Sequence, residues 1–192
     1  MNLNNLNNLI ELFVNQANKQ NKKDIFLEWL NPSNKKTYTW EQTEKNILKL
    51  SKVIKENIKE GDRCLLVSEN RPEWFISDLA IMKIGAITVP AYTTSNENEL
   101  LYLLNHSESK LALLDEIDSG LDIDAIKTVA NLINENRDDE TSYLLVTHYS
   151  RILRYLDVDR VHIVVKGNVI KSGSKELIEE VDSGGYTQYQ EQ

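Results

Sequence analysis

Two acidic side chains, Asp115 and Glu116, close the apolar run Leu111-Ala112-Leu113-Leu114. A buried strand ending this way can deliver an aspartate to the water shell of Mg²⁺ and a glutamate to an attacking water, which is the division of labour phosphoryl transfer needs. Many strands end in carboxylates for no catalytic reason, so the pair gains weight only from its surroundings. Ser119-Gly120-Leu121-Asp122 follows, and a second apolar run, Leu144-Leu145-Val146, ends in Thr147-His148. An imidazole at a strand end can orient or sense a phosphate through its ring N–H; a hydrogen-bonded histidine at a sheet edge is the alternative. Cys64, inside the apolar string Arg63–Ser68, reads as core packing. His106 reads as a helix end or turn, where a cation is favourable. No cysteines and histidines cluster at the spacing of a metal site.

Alternating strands and helices must position these groups. Leu3, Leu6, Leu9, Ile10 and Phe13 share a helical face within 1–22. Residues 24–30 and 37–40 read as two strands of a hairpin around Asn31-Pro32-Ser33-Asn34. Thr39 is placed to cap a helix over 41–57. Strands follow at 63–68, 87–90, 110–115 and 143–147, the last expected to be buried. Helices are expected at 73–84 after Pro72, at 96–106, at 122–136 and at 149–156. A hairpin at 161–171 turning on Lys166-Gly167-Asn168 and a helix at 174–181 close the chain. The rhythm predicts an α/β fold: a mostly parallel sheet with flanking helices and a small C-terminal β-hairpin.

Several spaced strings carry a first resemblance. Thr37-Tyr38-Thr39-Trp40, Gly61-Asp62-Arg63, Asn70-Arg71-Pro72-Glu73-Trp74 and Gly85-Ala86-Ile87-Thr88-Val89-Pro90-Ala91-Tyr92 occur in order. With Thr93-Thr94-Ser95 and Asn105-His106-Ser107-Glu108-Ser109-Lys110, residues up to about 110 resemble the N-terminal part of an AMP-forming acyl-CoA synthetase of the long-chain fatty acid branch. Most of these residues are scaffold by their chemistry. Gly85 permits a positive φ or a close approach, Pro90 ends a strand, and Trp40 and Trp74 are apolar anchors. The resemblance implies a Ser/Thr/Gly-rich phosphate loop, an adenine-binding motif and a catalytic lysine further along, and this sequence contains none of the three.

Residues from about 111 onward resemble a second family. Asp115-Glu116-Ile117-Asp118-Ser119-Gly120-Leu121-Asp122-Ile123-Asp124-Ala125, then Thr147-His148-Tyr149, Val161-His162-Ile163, Gly167, Lys171-Ser172-Gly173 and Gly185-Tyr186, are similar to the ABC-type ATPases of the Suf iron–sulfur assembly system, the SufC type. The resemblance implies that Asp115 supports Mg²⁺ through water, Glu116 is the general base, Asp122 lies at a dimer interface and His148 senses the γ-phosphate. Asp115 and Asp122 would stand on the nucleotide side. ATP and Mg²⁺ are thereby implied, as are partners among the Suf proteins. No G-x-x-x-x-G-K-[ST] string exists in the sequence, so the backbone N–H cradle and the lysine for the β- and γ-phosphates are missing. Asp115, Glu116, Asp118 and Asp122 would moreover repel a polyphosphate unless cations intervene.

Charge divides where the resemblance changes. Residues 1–112 carry 14 acidic and 14 basic side chains; residues 113–192 carry 16 and 8, which is the whole net charge of −8. No basic patch supports nucleic-acid binding. The apolar runs are too short for a transmembrane helix, and the start lacks the positive region of a secretory signal. One cysteine fits a reducing, cytoplasmic setting. These features together predict two joined, incomplete enzyme pieces, meeting inside one strand near residue 110, without autonomous catalysis. An interaction module docking on Suf proteins and a ligase lineage active only with a complementing chain are the alternatives. The sequence does not fix the oligomeric state.

Overall fold

The computed structural model describes residues 8–31, 34–138, 140–165, 167–185 and 189. The chain divides into two compact units. One runs up to Asp115 and takes in the segment ending at Leu145; the other holds Glu116–Asp138 and the residues from Val146 onward.

The first unit begins with α1 (Leu9–Ala17), capped by Asn8, and an antiparallel hairpin of β1 (Ile25–Asn31) and β2 (Asn34–Thr39). Leu3, Leu6 and the turn residues Pro32 and Ser33 lie outside the described residues. Helix α2 (Trp40–Lys55) starts where Thr39 predicts: the Thr39 hydroxyl accepts from the Gln42 N–H, and the Gln42 side chain accepts from the Thr39 N–H. Such a box satisfies two N–H groups that the helix cannot pair internally. β3 (Arg63–Val67), α3 (Pro72–Lys83), β4 (Ile87–Ala91), α4 (Glu97–Ser107), β5 (Leu111–Asp115) and β6 (Ser142–Val146) complete the alternation.

The strand order is β4-β3-β5-β6. β3 pairs in parallel with β4 on one side and with β5 on the other, so the expected α/β class holds. β3 and β5 are parallel neighbours, which places their C-terminal ends side by side. Cys64, Leu66, Leu111 and Leu113 point into a core shared with Ile47 and Ile54 of α2 and Ile76, Leu79 and Ile81 of α3. Full burial of one such aliphatic side chain contributes about 1.5–3 kcal/mol. Phe26 lies against Trp40 at 3.8 Å between ring centroids, with Phe13 and Phe75 at its margins.

Two expectations are corrected here. β6 is not buried. It closes one side of the sheet, and Ser142, Leu144 and Val146 are exposed. Pro90 does not end its strand but sits inside β4, opposite Leu66. β4 is the other outer strand of the sheet, where a missing N–H costs no ladder bond.

The second unit contains α5 (Ile123–Glu135), α6 (Ser150–Leu153), the antiparallel pair β7 (Val161–Val165) and β8 (Asn168–Gly173), and α7 (Glu176–Gly184). The C-terminal hairpin is thus present, although Lys166 in its turn lies outside the described residues. Ile163, Leu177, Val181 and Tyr189 make a small core. Asn134 clamps the segment after α6, donating to the Tyr155 carbonyl at 2.8 Å and accepting from the Asp157 N–H at 3.0 Å. Among the described residues no helix is long and apolar enough to cross a membrane.

Candidate functional site

Asp115 is the last residue of β5, in the first unit. Its Oδ2 accepts from the Ser68 hydroxyl at 2.6 Å and from the Arg71 guanidinium. Ser68 immediately follows β3 and Arg71 occupies the N-cap position of α3. The adjacency of β3 and β5 therefore creates this cluster from residues 44 and 47 positions away. Arg71 and Asp115 are each about one-fifth exposed, so their ion pair is partly shielded from water. Such charge-assisted bonds are shorter and stronger than neutral ones.

The other sequence-predicted residues lie in the second unit. Glu116 has φ +53°, the left-handed region that a non-glycine residue enters at a cost. Its N–H donates to the Val146 carbonyl at 2.8 Å, and its carbonyl accepts from Ser119 at 3.1 Å. The carboxylate points toward His148, with Oε1 3.6 Å from Nδ1. The imidazole also lies against the Tyr149 ring at 4.0 Å between centroids, and Arg151 Cζ sits 5.0 Å from the centroid of the same ring. Glu116 and His148 are thus brought together as a carboxylate–imidazole pair, the components of an acid–base couple.

Asp122 is elsewhere in its own role: its Oδ1 accepts from the Ala125 N–H at 2.8 Å and caps α5. The residue that does enter the site is Asp118. It is wholly buried, and both its carboxyl oxygens lie near the Thr147 hydroxyl, at 2.9 and 3.0 Å. The same hydroxyl oxygen accepts from the Tyr149 N–H at 2.9 Å. Sequence reasoning passed over Asp118 and Thr147 as functional partners, as it did Ser68 and Arg71. Only Thr147 left a local signal, since a threonine two residues before a turn amide commonly bonds to it.

Two further polar groups belong to the first unit. Glu73 Oε1 accepts from the Tyr38 hydroxyl at 2.8 Å and from Lys36. Burial works against its charge, but the bonds from Lys36 and Tyr38 outweigh burial and hold its carboxyl below the usual range. Burial pushes the Cys64 thiol up to about 12, against a smaller opposing effect of a backbone hydrogen bond at Leu113. Among the described residues no three or more His, Cys, Asp or Glu side chains gather as metal ligands.

Residues 13–168 match the sequence profile of the family described as AMP-binding enzyme. Among curated proteins, Vegetative protein 296 of Bacillus subtilis (strain 168) is 48% identical over 89 residues, covering 46% of this chain and 34% of that protein. The probable ATP-dependent transporter SufC of Escherichia coli (strain K12) is 48% identical over 79 residues, covering 41% and 32%. The chain therefore spans about a third of the length of these relatives. Among solved structures, a fatty acyl-adenylate ligase from L. pneumophila, in complex with acyl adenylate and pyrophosphate, superposes with TM-score 0.55 at 20% identity, covering 73% of this chain and 23% of that one. The N-terminal subdomain of Klebsiella oxytoca NpsA gives TM-score 0.54 at 19% identity, covering 73% and 32%. At such identities the structural likeness speaks to fold. The sequence likenesses point to two nucleotide-using lineages in one chain.

Proposed function

The chain belongs to the AMP-binding enzyme family, and from that premise we propose that it joins the opening stretch of an acyl-CoA synthetase to the closing stretch of a SufC-type ATPase, with neither catalysing alone. The join falls near residue 110, at the start of β5. One observation carries the proposal: Asp115, the side chain that the ATPase likeness assigns to Mg²⁺, accepts at Oδ2 from Ser68 and Arg71 of the synthetase-like stretch. A carboxylate oxygen already facing a guanidinium is a poor ligand for a second cation. The missing G-x-x-x-x-G-K-[ST] string supports the same conclusion, because the β- and γ-phosphates then lack their N–H cradle. Glu116 and His148 remain as an acid–base pair without a nucleotide-holding loop beside them in sequence.

The test is direct. Purified chain with Mg²⁺ and ATP, with and without a long-chain fatty acid, is expected to release phosphate and pyrophosphate at the rate of the buffer blank. Turnover of about 1 s⁻¹ or faster, the lower end of ordinary enzymes, overturns the proposal.

A second reading, docking on Suf iron–sulfur assembly proteins, draws support from the 48% identity to Escherichia coli SufC over 79 residues, 41% of the chain. Immobilised full-length chain would then retain purified Suf components. No retention removes this reading. A complementing chain that supplies the phosphate loops is disfavoured, because dividing a site between chains adds the entropy cost of association.

A further inference from the structure

The geometry points to Thr147 as a positioning residue: by bonding Asp118 and the Tyr149 N–H at once, we infer, it holds His148 against Glu116. The inference does not require that the pair turn over nucleotide. It concerns how the pair is set at 3.6 Å.

A hydroxyl has one hydrogen to give and two lone pairs to accept with. Thr147 spends both capacities. Its oxygen accepts from the Tyr149 N–H at 2.9 Å, closing a turn around His148. Its hydrogen has Asp118 as the nearest acceptor, at 2.9 and 3.0 Å, with the Tyr149 carbonyl at 3.2 Å. The first bond fixes the backbone that carries the imidazole. The second fixes the 116–122 turn that carries the carboxylate.

Asp118 gives that second bond its strength. The residue is 0% exposed, and a buried carboxyl group without a partner is costly. Withdrawing Thr147 would leave Asp118 buried without that partner, so the two loops are tied by more than one average hydrogen bond. Glu116 supplies an independent sign of constraint. A glutamate at φ +53° persists only when its surroundings over-determine it. The bonds from Glu116 N–H to Val146 and from Ser119 N–H to Glu116 contribute to that, and the Thr147–Asp118 bond fastens the same turn.

Three full-length variants test the assignment by NMR. In the unaltered chain, a through-space cross-peak between the Glu116 side chain and the His148 imidazole is expected, along with a slowly exchanging Tyr149 amide. Thr147→Val keeps the volume but removes the hydroxyl. It should abolish the cross-peak and speed Tyr149 amide exchange about tenfold, the equivalent of one lost hydrogen bond. Thr147→Ser keeps the hydroxyl and should restore both. Asp118→Leu should lose the cross-peak while keeping the Tyr149 protection, because the turn bond is local to 147–149. A cross-peak that persists in Thr147→Val, or is not restored in Thr147→Ser, overturns the inference. Should Thr147→Val fail to fold, the unaltered chain still decides: a Tyr149 amide exchanging as fast as an open loop overturns it.

Discussion

Glu73 shows how a single carboxylate organises its neighbours. With Lys36 and Tyr38 on one oxygen, its carboxyl sits below the ordinary range when folded. A depressed folded value contributes stability above the unfolded value, and that contribution is lost as pH falls through the folded one. Acid titration of the unaltered chain should therefore show a stability loss below about pH 4.5, the region where an unfolded glutamate titrates. Glu73→Gln should flatten that slope, as followed by urea midpoints from pH 3 to 6; an unchanged slope contradicts the assignment. Cys64 gives a second prediction at this scale. Buried, and with its thiol pushed up to about 12, it should resist a thiol reagent at pH 8 in native chain and react at once in denaturant. Fast native labelling would contradict its place in the core.

Elements were most legible where local chemistry decides them. The Thr39 cap, Pro72 at the start of α3 and the Asp122 end of α5 are written in residue types at fixed offsets. α4 adds a second capping box, Asn96 with Glu99. Asn96→Ala should cost about 1 kcal/mol, with Thr39→Ala similar, measured as a shift in thermal or urea midpoint; no shift would mean those helix ends find other partners. Gly85 ends α3 at φ +79°, and a Cβ there would meet Glu60 Cγ at 2.7 Å. Gly85→Ala is accordingly expected to destabilise beyond the cap substitutions. What failed locally was burial. Leu144-Leu145-Val146 looks like a central strand because a short apolar run carries no mark of its place in a sheet. The site was half legible for a related reason. Glu116 and His148 were picked out by likeness, but Asp115 meets Arg71 across 44 residues and Asp118 meets Thr147 across 29, and no spacing rule reaches that far.

At the scale of the whole molecule, the net charge of −8 belongs to the stretch after residue 112, which also contains the ATPase-like motifs. Nucleotide binding can be judged here without an activity assay. A ligand at 100 times its Kd adds about 2.7 kcal/mol to the folded state. Millimolar Mg²⁺ and ATP are therefore expected to shift the melting temperature by no more than about a degree if the chain holds nucleotide no better than millimolar. A rise of several degrees would show that a phosphate site has formed by another route.

The left-handed glutamate at 116 sets stability and chemistry against each other in any experiment that selects variants. A glycine there would relieve a backbone cost of about 1–2 kcal/mol, offset in part by roughly 0.5–1 kcal/mol of added chain freedom when unfolded. A library screened only for heat resistance should drift toward glycine at 116 and discard the carboxylate. One screened for anything that uses the carboxylate should keep the glutamate and tolerate the cost. Which way position 116 moves would reveal, without naming a substrate, what the chain is being asked to do.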